Sequence, residues 1–229
     1  MTADRDFARE LYPFLFGASS GGVDGDVALV ESVRGSTLEK CAELIALRSE
    51  VLAEYEDQLA RAAEAMAGRF SAGGKLIAFG NGGSATDADD AAADCVSPPL
   101  EGWRAVPALS LSADGATMSA LSNDVGVENV FARHLAAVGE RHDIALGFST
   151  SGNSGNVVAA LAEAKQRGML TIAFTGYDGG EVARGGAVDF CFVARREFVP
   201  RIQEGHATAW HTLLELVQDA LANLKQAVE

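Results

Sequence analysis

Several classes of protein are excluded by what this sequence lacks. Its three cysteines, Cys41, Cys95 and Cys191, lie far apart and form no CxxC pair, which argues against a disulfide framework and a cysteine zinc site. The chain has only 18 basic residues but 32 acidic ones, and the resulting net charge of −14 argues against nucleic-acid binding. No apolar run reaches the roughly 18 residues of a membrane span. Residues 1–6 lack the order of a signal peptide, so we expect a soluble, cytoplasmic protein.

The first 35 residues are predicted to form an extension that is partly flexible. The aromatic-rich segment Phe7–Phe16 is followed by Gly17–Gly25, whose glycine and serine content is typical of a linker. Two roles stay open for the apolar segment Phe7–Phe16: it folds back onto the body of the protein, or it binds a protein partner.

A long helical pattern then precedes the rest of the chain, from about Asp26 to Phe70. Within it, Ser36 and Glu39 have the spacing of a capping box, with Ser36 as the N-cap. The sequence therefore predicts a helical hairpin at the N-terminal side and a single domain over residues 36–229.

Short apolar runs alternate with helical patterns after residue 74. The runs are Lys75–Phe79, Val106–Leu111, Ile144–Phe148, Leu170–Phe174 and Phe190–Val193. Helical patterns lie near Asp87–Val96, Ala116–Ser122, Val130–Val138, Val157–Gln166, Glu181–Gly185 and Arg201–Val228. Continuous apolar strands joined through helices predict a doubly wound α/β domain with a parallel sheet covered on both faces.

Two predicted strands end in loops that suit a phosphate. Gly80–Ala85 and Ser149–Gly155 each place small residues and hydroxyls between a strand and a helix N-terminus. Backbone N–H groups and the helix dipole favour an anion there, and ligands bind at the carboxyl ends of parallel strands. The second loop gives the stronger signal, because it carries four hydroxyl side chains: Ser149, Thr150, Ser151 and Ser154.

A dinucleotide site is a weaker interpretation of the first loop. Gly80–Ala85 matches G-x-G-x-x-A, a pattern that calls for an acidic residue about 20 positions further on. Asp114 lies about 30 residues away, and a nucleotide leaves the hydroxyl-rich loop unexplained. Neither loop has the Gly-Lys-Ser/Thr of a P-loop, so we expect no nucleotide cofactor.

Five segments together carry a family resemblance: Gly80–Ser84, Ser122–Asp124, Gly147–Ser154, Thr175–Gly180, and Arg201–His206 with His211 beyond. In content and order they resemble the sugar isomerase (SIS) domain family and, within it, the phosphoheptose (sedoheptulose 7-phosphate) isomerases. The resemblance covers roughly residues 36–227. It implies a flavodoxin-like, five-stranded parallel sheet and a homotetramer with active sites between subunits.

The resemblance also implies roles for individual residues. The substrate phosphate would be held by the four hydroxyls of the second loop. The sugar would be contacted from the first loop by Asn81 and Ser84, with Asp124 nearby, and Gln203 matches a further ligand position. The sugar-phosphate half of the family's motif is therefore intact.

The catalytic half of the motif is altered. Asp90 and Asp94 stand where the family carries a metal-binding His and a Glu that is both ligand and base, and Pro98 stands at a frequent Arg position. The Gln and His of the last helix are present as Gln203 and His211.

Aldose–ketose isomerisation needs a base near the α-carbon proton and an acid or metal at the developing oxyanion. The resemblance assigns the base to Asp94 and the acid or metal ligand to His211. Asp90, Asp94, Gln203 and His211 would form a divalent metal site, and their acidity makes Mn²⁺, Fe²⁺ or Mg²⁺ as plausible as Zn²⁺. Alternatively, the acids serve only to favour a helix N-terminus.

Three functions stay open. The leading prediction is an isomerase of phosphoheptose type that uses a sugar phosphate. The second is a non-catalytic regulator or adaptor that binds a phosphosugar and has lost the isomerase His/Glu pair. The third is a different sugar-phosphate reaction at an acidic metal site.

Overall fold

The structure is a computed structural model that describes residues 23–226. The chain divides into two compact units, Met1–Glu43 and Leu44–Glu229. The predicted apolar segment Phe7–Phe16 lies outside the described residues. None of the helices within residues 23–226 is long and apolar enough to cross a membrane.

The first described element is one continuous helix, α1, which spans Val23–Ser71. The predicted hairpin and the N-cap at Ser36 are therefore wrong, and the last three residues of the predicted linker form the first turn of α1. Gly35 disfavours helix by only about 1 kcal/mol, which one residue in a long helix can accommodate. Thr37 donates its hydroxyl to the carbonyl of Val33 at 2.8 Å, a bond that helices accept in their interior.

Five parallel strands form a single sheet in the order β2-β1-β3-β4-β5. The strands are β1 (Leu76–Gly80), β2 (Ala108–Ser110), β3 (Ile144–Ser149), β4 (Leu170–Gly176) and β5 (Phe190–Ala194). The helices after α1 are α2 (Gly83–Val96), α3 (Gly115–Val125), α4 (Val130–Val138), α5 (Gly155–Gln166), α6 (Gly180–Arg184) and α7 (Val199–Gln226). A 3₁₀ turn at Val127–Asn129 joins α3 to α4.

The predicted five-stranded doubly wound α/β fold is confirmed, with small shifts at the ends of its elements. The largest shift is at α2, which begins at Gly83, four residues before the predicted start at Asp87. The preceding Gly82 has φ of +56°, a conformation open to glycine that turns the chain directly from β1 into the helix. Pro200 lies in the first turn of α7, where its missing N–H costs nothing.

The sheet is buried on both faces, as its apolar strands predict. In β1, Leu76 and Ala78 join one core cluster and Ile77 and Phe79 join the other. Side chains of α1, α2 and α7 complete the first cluster, and side chains of α4 and α5 complete the second. This arrangement leaves the carboxyl ends of the strands as the edge where polar loops gather.

A buried carboxylate fixes the opposite edge, where β1 and β3 begin. The side chain of Asp143 is only 3% exposed. Its Oδ1 accepts from the backbone N–H of Lys75 at 2.9 Å, and its Oδ2 accepts from Lys75 Nζ at 2.6 Å and from the backbone N–H of Glu140 at 2.8 Å. The two central strands are therefore aligned by one acid.

We expect Asp143→Ala to lower the free energy of unfolding by about 3 kcal/mol, because it leaves the partly buried ammonium of Lys75 and two backbone N–H groups without their acceptor. The matched control is Glu163→Ala, which removes the more exposed pair with Arg167 and should cost under about 0.5 kcal/mol. Urea unfolding followed by circular dichroism measures both. Equal losses in the two variants would contradict this interpretation.

Candidate functional site

The loops after β1 and β3 lie side by side, because these two strands are neighbours in the sheet. The amides of Asn81 and Asn156 bond to each other in both directions, at 2.8 and 2.9 Å. Asn156 lies in the first turn of α5 and is buried, whereas Asn81 is exposed. The pair ties the first loop to the start of α5 and leaves the remaining amide hydrogen and lone pair of Asn81 for a ligand.

The hydroxyl-rich loop crosses from β3 into α5. Ser149 is almost completely buried, and its hydroxyl donates to the hydroxyl of Ser154 at 3.0 Å. Ser154 occupies the N-cap of α5 but makes no side-chain capping bond. The Ser151 hydroxyl accepts from the backbone N–H of Asn153 at 3.1 Å, and Thr150 is partly exposed between them. The four predicted phosphate-binding hydroxyls therefore share one turn at a helix N-terminus.

The turn after β4 packs directly against this loop. Gly152 has φ of +64°, and a Cβ there would lie 2.1 Å from the carbonyl oxygen of Gly179. A Cβ on Gly180 would lie 2.5 Å from the carbonyl oxygen of Ser151. The two backbones can approach this closely only because both sides carry glycine. The glycines of the segment Thr175–Gly180 thus shape the proposed phosphate loop without being part of it.

The start of α2 packs tightly against α7. A Cβ on Gly83 would lie 2.3 Å from Nε2 of Gln203, and that amide donates to Oδ2 of Asp87 at 3.4 Å. Ser84 is buried in the same turn, and its backbone N–H bonds to the carbonyl of Asn81 at 3.0 Å. Gln203 and the acidic helix are therefore in direct contact.

Further along the interface between α2 and α7, Asp94 contacts two consecutive residues of α7, Trp210 and His211. Its Oδ2 accepts from the indole Nε1–H of Trp210 at 3.0 Å and lies 3.6 Å from Nε2 of His211. The Asp94 side chain is 22% exposed and that of His211 is 65% exposed, so solvent and ligands can reach the pair. A small pocket beside them is lined by Asp87, Asp90, Phe148, Ala207, Trp210 and His211.

Asp87 also lines this pocket, although the family resemblance marks no site residue there. Burial raises the pKa of its carboxyl to about 6; the hydrogen bond from Gln203 opposes the rise and the charge of Asp90 adds to it. A carboxyl in a pocket that titrates near neutral pH is suited to proton transfer. The spacing of Asp87 from Asp90 and Asp94 along α2 is the sequence pattern that could have identified it as a candidate.

His206, in the same motif as Gln203, lies inside the core. Its Nε2 bonds to the carbonyl of Thr175 at 2.8 Å and its Nδ1 has no partner among the described residues. Burial lowers the pKa of the imidazole to about 4, and the bond to Thr175 opposes that change. Its ring packs near Phe148 and Phe174, so His206 is a neutral packing residue.

Asp124 is the predicted site residue that the structure does not bring to the others. It is exposed on α3, where its Oδ1 accepts from the amide of Asn123 at 3.2 Å. Among residues 23–226, no hydrogen bond or ion pair joins Asp124 to the two loops or to α7.

The predicted metal ligands are not gathered into one cluster within residues 23–226. Asp94 and His211 form a pair, but Gln203 bonds to Asp87, and the indole of Trp210 already uses Asp94 Oδ2. Among residues 23–226, no three His, Cys, Asp or Glu side chains are placed to hold a metal ion together. No step below is derived through a metal.

This combination of fold and loops has known relatives. Residues 41–176 match the family profile of the SIS domain. The chain belongs to the SIS domain family. It is 40% identical over 185 residues to a phosphoheptose isomerase of Thermodesulfovibrio yellowstonii, covering 81% of this chain and 91% of that protein.

Solved structures agree with this SIS domain assignment. The phosphoheptose isomerase GmhA of Neisseria gonorrhoeae superposes with a TM-score of 0.74 at 32% identity, over 82% of this chain and 99% of that one. A phosphoheptose isomerase of Francisella tularensis superposes with a TM-score of 0.70 at 28% identity, over 80% of this chain and 98% of that one. Both superpositions extend over about four fifths of this chain.

We expect Asp87→Asn to stabilise the protein by about 1 kcal/mol at pH 7.5, after allowance for partial exposure. The pKa of Asp87 is higher in the folded state than the usual 3.8, so the folded state binds its proton more tightly. The contribution of the Asp87 carboxyl to the free energy of unfolding is therefore lost as pH rises from about 4 to about 6. The stabilisation by Asp87→Asn should accordingly be smaller at pH 4.5 than at pH 7.5.

Urea unfolding at the two pH values measures this difference. The matched control is Asp178→Asn, because the backbone N–H of Gly180 and the guanidinium of Arg184 lower the pKa of the exposed Asp178 carboxyl. That variant should gain no stability at pH 7.5. A gain for Asp87→Asn that is equal at both pH values would show that its carboxyl titrates normally.

Proposed function

We propose that this protein is a sugar-phosphate isomerase of the phosphoheptose type, converting sedoheptulose 7-phosphate to the corresponding aldose. One observation carries the proposal: the pocket containing Asp87, Asp90 and His211 also contains Phe148, the residue directly before the hydroxyl-rich loop. A phosphate on that loop would hold its sugar at the acidic face of α2. The similarity to phosphoheptose isomerases supports the same substrate class.

Substrate binding would use the loop and the helix dipole together. The hydroxyls of Ser149, Thr150, Ser151 and Ser154 and the N-terminus of α5 would donate to the phosphate oxygens. The free side of the Asn81 amide would bond to a sugar hydroxyl. These contacts would fix the reacting carbons relative to α2, and such positioning is a large part of catalysis.

The reaction would proceed through an enediol. Asp94 would take the proton from C1 of the ketose, while His211 donates a proton to the oxygen on C2. Asp94 would then return its proton to C2, and the C1 hydroxyl would give its proton to His211 as the aldehyde forms. Every proton removed is replaced, so the dyad ends in its starting state. The divalent metal expected from the resemblance stays a prediction, and no step here needs it.

A non-catalytic phosphosugar-binding protein is the second candidate. It is favoured by Asp94, whose side chain is one methylene shorter than the glutamate implied by the resemblance. In this alternative the phosphate loop keeps its role, and the sugar phosphate acts as a signal for a partner.

The assembly that we propose is a homotetramer with sites between subunits. Ile45 and Leu52 lie seven residues apart on α1, and both side chains are at least half exposed, at 65% and 50%. Such a stripe favours packing against another helix. A site shared between subunits would also give Asp124 a sugar to contact, since within residues 23–226 no hydrogen bond or ion pair joins it to another site residue.

Purified protein should convert sedoheptulose 7-phosphate to heptose 7-phosphate, and Asp94→Asn should lower kcat by at least about a hundredfold, because an amide cannot accept the carbon-bound proton. The matched control is Asp219→Asn, an exposed acid on α7 that should leave kcat unchanged. A coupled assay for the aldose product measures the rate. Tight binding of the substrate by the wild type without turnover would support the second candidate instead.

Ser149→Ala combined with Ser151→Ala should weaken binding of sedoheptulose 7-phosphate at least about a hundredfold, because each charge-assisted bond contributes roughly 1.5–3 kcal/mol. Isothermal titration calorimetry gives the affinity, and the control Ser119→Ala removes an exposed hydroxyl that bonds within α3. Binding of unphosphorylated sedoheptulose should change little. Unchanged affinity for the phosphate ester would remove the phosphate site from this loop.

A further inference from the structure

Trp210 makes a polar contact that packing does not require. The residue is only 2% exposed and belongs to the core cluster beneath α7. Its indole Nε1–H points out of that cluster and donates to Oδ2 of Asp94 at 3.0 Å. A buried indole N–H is costly without an acceptor, and a carboxylate is a strong one, so the bond fixes both side chains.

The two contacts of Asp94 fall on the same oxygen. Oδ2 receives the indole N–H and lies 3.6 Å from His211 Nε2, whereas Oδ1 accepts no hydrogen bond from any residue within 23–226. A carboxylate held through one oxygen keeps its other oxygen in a defined place with its lone pairs unused. That is the arrangement a proton acceptor needs.

We infer that Trp210 is a positioning residue for Asp94, holding its Oδ2 through the indole N–H so that Oδ1 is presented to the substrate carbon. This inference rests on the proposed function, since it takes Asp94 as the base. Trp210 itself takes no proton and acts on the reaction only through Asp94.

The physical need for such a residue comes from the length of the side chain. Asp94 is one methylene shorter than a glutamate at the same place, and a displacement of ~1 Å in a reacting group can cost about a hundredfold in rate. The rigid indole is anchored by the core at one end and by α7 at the other. It therefore sets the direction of the short carboxylate more firmly than an exposed, flexible donor would.

Kinetics of Trp210→Phe test the inference, with Trp103→Phe as the matched control. We expect kcat to fall about ten- to a hundredfold while KM for sedoheptulose 7-phosphate changes less than about twofold, because the substrate keeps its phosphate contacts. Trp103→Phe should leave both constants unchanged. A rise in KM at constant kcat, or equal effects of the two substitutions, would overturn the positioning role.

An isosteric replacement separates the hydrogen bond from the packing. In the Trp103→Phe background, the remaining tryptophan can be replaced biosynthetically by benzothienylalanine, which keeps the ring shape and puts sulfur in place of the N–H. The replaced protein should retain its circular dichroism spectrum and stay folded at the assay temperature but show the same fall in kcat as Trp210→Phe. Full activity of this folded protein would refute the inference even if Trp210→Phe were unfolded.

A spectroscopic measurement tests the contact without any turnover. With Trp103→Phe, the one remaining indole N–H gives a single ¹H–¹⁵N signal, which we expect to shift upfield in Asp94→Ala and not in Asp219→Ala. No shift in Asp94→Ala would overturn the contact. Absence of isomerase activity with the shift present would instead reject the proposed function and, with it, the positioning role, while leaving the Trp210–Asp94 bond established.

Discussion

The contact of the first loop with the start of α5 underlies the whole candidate site. The reciprocal bonds between the amides of Asn81 and Asn156 join two segments 75 residues apart. They can form because β1 and β3 are adjacent in the sheet, which brings the loops after them to one edge. Once that edge is fixed, Phe148, the residue directly before the hydroxyl-rich loop, lines the same pocket as Asp87 and Asp90 of α2.

A second constraint is the close approach of backbones around the proposed phosphate loop. Gly152, Gly179 and Gly180 let the turn after β4 lie directly against the loop after β3. The same principle acts where Gly83 admits Gln203 of α7 to the start of α2. At both places an added Cβ would push apart two elements of which at least one carries site residues, so these glycines determine the geometry although none supplies a functional group.

Much of the fold was predictable because each strand is a continuous apolar run and each connection carries a helical pattern. The starts of the helices α1 and α2 were predicted less accurately than the strands. Ser36 and Glu39 satisfy the capping-box pattern, yet they lie inside α1, because the same residue types are tolerated within a long helix whose later turns are held by the core. The start of α2 was missed because Gly82 and Gly83 were interpreted as loop, whereas the positive φ of Gly82 begins the helix at once.

The sequence by itself determined the class of the sheet, the two polar loops, and the presence of Asp90 and Asp94 at positions that the family resemblance marks. These properties follow from local patterns of residues. Only the tertiary structure decided which groups meet: Asp87 with Gln203, Asp94 with Trp210 and His211, and His206 withdrawn into the core. These contacts join α7 to α2, which precedes it by more than 100 residues in the sequence. They depend on how the two helices pack, and no local sequence pattern specifies the distance or the angle between two such helices.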